Sequence, residues 1–215
     1  MIKGYIFDMD GVLCDSEPFI AAAAIRMFQE RYNQTVHAAD FIPFVGAGEN
    51  RYLGGVAEQY GIPWNQEKDK AETYRLYAEC VQGKLQALPG VKTFMENAAE
   101  AGIKLAIATS ADAFKLTVNL AEMGLNRNRF DALVNGLEIE HKKPAPDIFI
   151  EAAKRLGLDP AECIVFEDAL NGVQAAKAAG STCVGITSSF TSQELNEAGA
   201  DASFAGFVDL VLPWT

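Results

Sequence analysis

The chain has 215 residues, of which 49% are hydrophobic and 22% are charged, and its formal net charge is −11. This composition is typical of a folded protein with one core and room for an inserted second unit. The negative charge disfavours a nucleic-acid partner, because a phosphate backbone requires a positive surface. No apolar run is long enough to cross a bilayer, and the four cysteines lack paired spacing, so we expect a cytoplasmic protein without membrane contact.

The N-terminal stretch predicts a buried strand that ends in two carboxylates. Residues 2–7 form a short apolar run of the kind found in parallel sheets. Asp8 and Asp10 follow, and side chains two residues apart at a strand end point to the same side. Two carboxylates at such a distance raise each other's pKa, and a divalent cation such as Mg²⁺ removes that conflict. Gly11 then allows a sharp turn beside a bound ligand.

The segment 15–86 predicts three or four helices with no strand between them. Its apolar residues recur at helical spacing, as in the series Leu53, Val56, Ala57 and Tyr60. A Leu-Pro-Gly turn at residues 88–90 marks the return to strands. We therefore predict a helical insertion at 15–86 within a core made of residues 1–14 and 87–215.

After residue 90 the pattern alternates between strands and helices, which indicates a parallel sheet. Polar residues follow three of the strands: Asp8, Thr109 and the pair Glu167-Asp168. Open α/β sheets bind their ligands beyond the carboxyl ends of the strands. The strands after the first are predicted at residues 103–108, 132–134, 163–166, 183–186 and 202–204.

Two further segments are candidates for phosphate binding. Thr109 and Ser110 precede a predicted helix, so their hydroxyls and nearby N–H groups can bind phosphate, although Thr109 can equally cap that helix. Lys143 lies directly before Pro144, which restricts the backbone and starts a helix. Its ammonium can neutralise both a phosphate and a neighbouring carboxylate.

The adjacent acids Glu167 and Asp168 allow two interpretations. They can cap the next helix, since carboxylates stabilise a helix N-terminus. Their agreement with Asp8 and Asp10 favours metal coordination instead.

The string Asp-x-Asp-Gly-Val-Leu-x-Asp-Ser-Glu at residues 8–17 resembles the first motif of the haloacid dehalogenase (HAD) superfamily of phosphoryl-transfer enzymes. Thr109, Lys143 and the pair Glu167-Asp168 stand in the order of its second, third and fourth motifs. The helical segment resembles the cap of the β-phosphoglucomutase-like branch. The resemblance implies an α/β fold with a Rossmann-like parallel core and an inserted all-helical cap.

The resemblance also implies a phosphatase that works through an aspartyl phosphate. Asp8 would be the nucleophile and Asp10 the general acid and base. Thr109 and Lys143 would complete the positive cradle around the phosphate. The implied Mg²⁺ ligands are Asp8, Asp10, Glu167 and Asp168. Asp10 would bind through its backbone carbonyl, and Glu167 would bind directly or through water.

The residues of the cap favour a phosphatase over a sugar phosphomutase. We expect its substrate to be a small phosphorylated metabolite, and specifically a sugar phosphate. Mutases of this branch carry a His and an Arg where this chain has Ile20 and, by counting, Glu49. Ala111 and Ala113 replace the Ser and Asn that hold a distal phosphate in the mutases. The cap residues that we nominate to line the substrate site are Gly46, Glu49, Arg51 and Lys70.

Four alternatives stay open, and the sugar phosphomutase is the first of them. A dehalogenase is a weaker one, because dehalogenases of the superfamily do not need an acid two residues after the nucleophile, and Asp10 supplies one. A catalytically silent binding domain conflicts with the intact set of Asp8, Asp10, Lys143 and Asp168. Only the net charge favours a structural role. We expect a monomer, because no long amphipathic seam lies outside the core helices.

Overall fold

The computed structural model describes residues 1–45, 48–208 and 210. Within them, the sheet consists of β1 (Gly4–Phe7), β2 (Lys104–Ala108), β3 (Ala132–Val134), β4 (Cys163–Glu167), β5 (Thr182–Ile186) and β6 (Ala202–Phe204). All neighbouring strands are parallel, and their spatial order is β3-β2-β1-β4-β5-β6. The predicted parallel α/β core is therefore confirmed.

The first strand, β1, lies at the centre of the sheet. Ile6 is opposite Ala106 on one side and Val165 on the other. Alternation along β1 directs Tyr5 and Phe7 to the opposite face from Ile6. The Phe7 ring stacks on the Phe166 ring of β4. Aromatic pairs prefer such stacking when the two rings are offset. Apolar side chains thus cover both faces of the sheet, which explains why polar and apolar residues do not alternate along the strands.

Helices flank the sheet on both faces. Glycine residues in the left-handed region terminate two of them, at Gly157 (φ 69°) and Gly180 (φ 87°). These flanking helices are α5 (Val91–Glu100), α6 (Ala113–Glu122), α7 (Asp147–Leu156), α8 (Leu170–Ala179) and α9 (Ser192–Glu197).

The described residues between β1 and α5 contain helices and no strand. The pair α1–α4 packs around buried side chains that include Met27, Phe28, Leu76 and Tyr77. Among the described residues, no helix is both long enough and apolar enough to cross a bilayer. The helices of this insertion are α1 (Glu17–Tyr32), α2 (Ala38–Phe41), α3 (Glu49–Gln59) and α4 (Gln66–Val81).

The two connections between the insertion and the sheet lie side by side. The Leu88 N–H donates a hydrogen bond to the Leu13 carbonyl at 2.8 Å. Cys14 and Ala87 form an antiparallel bridge next to it. The predicted limits of the insertion, between residues 14 and 15 and between residues 86 and 87, lie where these two connections run side by side. The division into two domains stays a prediction.

Candidate active site

The carboxyl ends of β1, β2 and β4 meet at one edge of the sheet. The Asp8 N–H donates to the Phe166 carbonyl at 2.9 Å, and the Thr109 N–H donates to the Val134 carbonyl at 3.0 Å, so strand pairing holds both residues. Between this edge and the insertion lies a cavity of about 240 Å³. The predicted core residues that line it are Asp8, Asp10, Gly11, Thr109, Ser110, Lys143, Glu167 and Asp168.

Lys143 connects two of these carboxylates. Its Nζ donates to Asp8 Oδ1 and to Glu167 Oε1, at 2.6 Å each, and it lies 5.0 Å from the centre of the Phe149 ring. Burial alone would lower the pKa of Lys143, but Asp8 and Glu167 outweigh burial and raise that pKa above its usual value. Lys143 is therefore a fixed positive charge beside Asp8.

The acidic groups at this edge still carry unbalanced negative charge. Burial raises the pKa of Asp8 to about 7; Lys143 opposes the rise, and the charges of Glu167 and Asp10 add to it. Burial also raises the pKa of Asp168 well above its ordinary value, and Glu167 and Asp8 contribute. Carboxylates buried so close together repel each other when ionised, and a bound cation would relieve that repulsion.

Two serines that the sequence pattern did not indicate lie beside Asp168, and one of them, Ser189, donates to it. The Ser189 hydroxyl donates to Asp168 Oδ2, and Ser188 Oγ lies 3.4 Å from the same oxygen. Gly11 has a φ of +76°, and a Cβ atom there would overlap Asp168 Oδ2. A glycine at this position therefore permits the close approach of Asp168 to the first turn.

The residues present fit a Mg²⁺ ion held largely by substrate and water. Mg²⁺ is usually bound through one or two carboxylates together with waters and phosphate oxygens. Asp8 and Asp168 supply two carboxylates, and the Asp10 carbonyl would supply a further oxygen. Among the described residues, no three His, Cys, Asp or Glu side chains form a complete metal site.

Both oxygens of Glu167 accept hydrogen bonds in this structure. Its Oε1 accepts from Lys143, and its Oε2 accepts from the Ala169 N–H at 2.7 Å. The assignment of Asp8, the Asp10 carbonyl, Asp168 and Glu167 as Mg²⁺ ligands, with Glu167 binding directly or through water, stays a prediction. The Asp10 carboxylate is also engaged, as Ser16 and Lys115 donate to its two oxygens.

Lys115, on α6, is a cavity residue that the sequence analysis missed. Its Nζ lies 2.9 Å from Asp10 Oδ2 and 3.7 Å from Glu49 Oε1. Burial would lower the pKa of Lys115, but Asp10 and Glu49 raise it well above its ordinary value. Helical spacing could have indicated that Lys115 is buried, because it lies on the same buried face of α6 as Leu116, Asn119 and Leu120.

Thr109 and Ser110 both line the cavity beneath the insertion. Thr109 Oγ1 accepts a hydrogen bond from the Ala111 N–H at 3.1 Å. A hydroxyl that accepts in this way keeps its own proton for another acceptor, such as a phosphate oxygen.

Of the nominated cap residues, Glu49 reaches the cavity, whereas Arg51 and Lys70 do not. Arg51 pairs with Glu58 at 2.8 Å on the exposed side of α3. Lys70 pairs with Asp112 at 2.7 Å. The expectation that Arg51 and Lys70 line the site is therefore not met in this structure, because a nearer carboxylate holds each cation.

Gly46, the remaining nominated cap residue, lies outside the described residues. Its neighbour Val45 lines the cavity, as do Phe44 and Tyr52. The side of the cavity formed by the insertion is consequently more apolar than the sheet edge.

Known proteins resemble this chain over most of its length. The profile of the family described as haloacid dehalogenase-like hydrolase matches residues 2–180. The protein SUPPRESSOR OF QUENCHING 1, chloroplastic, of Arabidopsis thaliana is 39% identical over 201 residues; the match covers 92% of this chain but only 19% of that protein's length. The Phosphorylated carbohydrates phosphatase of Thermotoga maritima is 32% identical, over 94% of this chain and 93% of its own.

A solved structure agrees with these sequence matches. CbbY from Rhodobacter sphaeroides, in complex with phosphate, superposes with a TM-score of 0.88. It is 25% identical, and the match covers 98% of this chain and 96% of that one. The fold described above is thus shared over both the sheet and the helical insertion.

Proposed function

This chain belongs to the haloacid dehalogenase-like hydrolases, and from that premise we propose that it is a Mg²⁺-dependent phosphatase of a small phosphorylated metabolite. The observation that carries the proposal is the buried pair of Lys143 and Asp8, 2.6 Å apart at the end of the central strand. A relative named as a phosphatase of phosphorylated carbohydrates supports a sugar phosphate as the substrate class.

Asp8 is the nucleophile in this proposal. Its carboxylate attacks phosphorus, the bond to the alcohol oxygen breaks, and an aspartyl phosphate forms. Water then attacks the same phosphorus, which releases inorganic phosphate and regenerates Asp8. Two steps with a good nucleophile replace one displacement by water, which is the advantage of covalent catalysis.

Asp10 moves the protons. It protonates the departing alkoxide in the first step and removes a proton from water in the second. Ser16 and Lys115 contact its two oxygens, so the carboxylate is held in a defined orientation before substrate arrives.

Lys143, Thr109 and Ser110 would bind the phosphate oxygens. Lys143 also reduces the repulsion between the Asp8 carboxylate and the anionic phosphate, because its charge lies beside both. Mg²⁺, held by Asp8, Asp168 and the Asp10 carbonyl, would supply further charge stabilisation for the transferring group.

Phosphate release from a panel of monoesters, with Mg²⁺ and with EDTA, tests the proposal. We expect metal-dependent release that falls by at least about 10³-fold in Asp8→Asn, because the nucleophile is lost, and that also falls strongly in Asp10→Asn. The panel includes glucose 1-phosphate with and without glucose 1,6-bisphosphate. Conversion to glucose 6-phosphate without net phosphate release would instead identify a phosphomutase. Inertness toward every ester would favour a silent binding domain.

A cytoplasmic location and a monomeric state stay predictions. The four cysteines, at positions 14, 80, 163 and 183, are all unpaired, which agrees with a reducing compartment.

A further inference from the structure

The loop between β5 and α9 brings two neighbouring serines to the acidic edge of the sheet. Ser188 and Ser189 both line the cavity, and both residues are exposed. The Ser188 hydroxyl donates to the Gly11 carbonyl at 2.5 Å, and the Ser189 hydroxyl donates to Asp168 Oδ2. The loop therefore contacts the turn after β1 and the acid after β4 at the same time.

The two ends of this loop are anchored without the hydroxyl of Ser189. The Thr187 N–H donates to the Phe204 carbonyl at 2.9 Å, next to the end of the pairing between β5 and β6. At the other end, Thr191 caps α9, because the Glu194 N–H donates to Thr191 Oγ1 at 3.3 Å and the Thr191 N–H donates to Glu194 Oε2 at 2.9 Å. Since both ends are fixed in this way, the Ser189 hydroxyl is not needed to fold the loop.

The acids at this edge are held by donors of two kinds. Asp8 and Glu167 each accept from the ammonium group of Lys143 at 2.6 Å. Asp168 instead accepts through Oδ2 from the neutral hydroxyl of Ser189. A neutral donor fixes the orientation of a carboxylate without cancelling its charge. The charge of Asp168 thus stays available to a bound cation.

Resting on the proposed function, we propose that Ser189 is a positioning residue for the Mg²⁺ site, where it fixes Asp168 through Oδ2 and leaves Oδ1 for the ion. Without the ion, the charges of Glu167 and Asp8 repel Asp168. The Ser189 hydroxyl opposes the displacement that this repulsion favours. Partners that orient a metal ligand before the ion arrives raise the affinity for that ion.

This role predicts which kinetic constant Ser189 governs. The hydroxyl contacts a proposed ligand of the ion and not the phosphate or the nucleophile. Its removal should therefore raise the Mg²⁺ concentration that gives half-maximal phosphate release. At saturating Mg²⁺, kcat should stay within about threefold of the wild-type value, because the ion then holds Asp168 in place.

Mg²⁺ binding to EDTA-treated protein, without substrate, tests the inference directly. Isothermal titration at pH 8 gives the Kd for Mg²⁺, and thermal unfolding at increasing Mg²⁺ concentrations gives a second measure of binding. We expect Ser189→Ala to raise the Kd by at least about 10-fold, the usual effect of losing a partner of a metal ligand. Because Ser189 is exposed, its replacement by Ala leaves no cavity in the core.

Two variants serve as controls. Ser189→Thr keeps a hydroxyl on the same carbon atom, so it should bind Mg²⁺ within about threefold of wild type, less than the loss of a hydrogen bond to a charged group. Ser192→Ala removes a hydroxyl that contacts Ser203 in the first turn of α9, and this variant should bind Mg²⁺ as the wild type does. Thermal unfolding of each variant in EDTA checks that the fold is retained.

Three outcomes would overturn the inference. An unchanged Mg²⁺ affinity in Ser189→Ala would mean that the hydroxyl only secures the loop. A loss of kcat at saturating Mg²⁺ with no change in Mg²⁺ affinity would place Ser189 at the reacting atoms instead. A Ser189→Thr variant that binds Mg²⁺ as weakly as Ser189→Ala would mean that the hydroxyl is not the group that matters. If wild-type protein neither binds Mg²⁺ nor needs it for phosphate release, the proposed metal-dependent function itself fails, which is a distinct result.

Discussion

Two buried lysines reach the cavity from different parts of the molecule, and each lies between two carboxylates. Lys143 joins Asp8 and Glu167, all of which belong to the sheet and its loops. Lys115 joins Asp10 of the sheet edge to Glu49 of the insertion. If the insertion moves away from the sheet, the first cluster stays intact, whereas the second loses only the contact between Lys115 and Glu49. The first cluster therefore lies within the core, and the second connects the core to the insertion.

Contacts between α4 and α6 define how the insertion rests on the core. Lys70 pairs with Asp112 at 2.7 Å, and Tyr74 stacks on Phe114 with ring centres 5.5 Å apart. The Tyr77 hydroxyl also donates to Asn119 on α6. If the insertion opens to admit substrate, some of these pairs must separate, so substitutions at these pairs test the opening.

The largest effect is expected from Lys143→Met. Removal of the cation leaves the buried carboxylates of Asp8 and Glu167 without a counter-charge, so we expect kcat/KM to fall about 10²- to 10³-fold and the free energy of unfolding to fall by about 3–5 kcal/mol. Phosphate release and urea denaturation measure the two effects. Lys154→Met, which removes a largely exposed lysine of α7, is the matched control.

The Lys115→Met variant tests whether the two lysine clusters differ in their importance for activity. Because Ser16 still holds the Asp10 carboxylate, we expect a smaller loss, about 10-fold in kcat/KM, which is close to the removal of one charged hydrogen bond. Equal losses in the Lys143 and Lys115 variants would contradict the smaller catalytic role expected for the cluster that connects the core to the insertion.

Without metal, we expect the carboxylates around Asp8 to make the folded protein less stable as pH rises. The pKa of folded Asp8, raised to about 7, exceeds its unfolded value, so the folded state binds more protons between about pH 4 and pH 7. The free energy of unfolding in EDTA should therefore fall as pH rises through this range, by up to about 1.4 kcal/mol per pH unit for one proton.

Added Mg²⁺ should reverse this trend, because it binds the ionised carboxylates. Thermal unfolding at pH 5 and pH 8, with and without Mg²⁺, measures the effect, and we expect greater stabilisation at pH 8. Asp8→Asn provides the control, since it removes the titrating group. A wild-type stability that rises with pH in EDTA would rule out Asp8 as the dominant group.

The smallest effect is expected at the contact between insertion and core. Lys70→Met removes a partly exposed ion pair, so the loss of stability should be below about 1 kcal/mol. Because the insertion closes less readily, KM should rise about two- to fivefold, within the range of so weak a pair, while kcat changes little. Lys68→Met, an exposed lysine of the same helix, should leave KM unchanged. An unchanged KM in Lys70→Met as well would mean that this pair does not govern closure.

Much of the core could be predicted from local patterns. The short strands β3 and β6 occupy the predicted residues 132–134 and 202–204, because apolar runs between turn residues are a local signal. Asp8, Thr109 and Asp168 follow buried strands, so a parallel sheet necessarily brings them to one edge.

The partners of the charged side chains could not be predicted in this way. Arg51 and Lys70 were nominated for the cavity by their place in the insertion, yet each pairs with a carboxylate elsewhere. Lys115 looked like an ordinary helical lysine, yet it is buried between two acids. An ion pair depends on distance in space, and Lys143 pairs with Asp8 although 135 positions separate them in the chain.

The parallel core, the helical insertion and the acidic edge of the sheet could be read from the amino-acid order, because strand periodicity and residue type act over a few neighbouring positions. The pairing of each cation with its carboxylates, such as Lys143 with Asp8 and Glu167, came only from the three-dimensional arrangement. The physical reason is that electrostatic energy and burial depend on all the groups that surround a charge, and these come from distant segments.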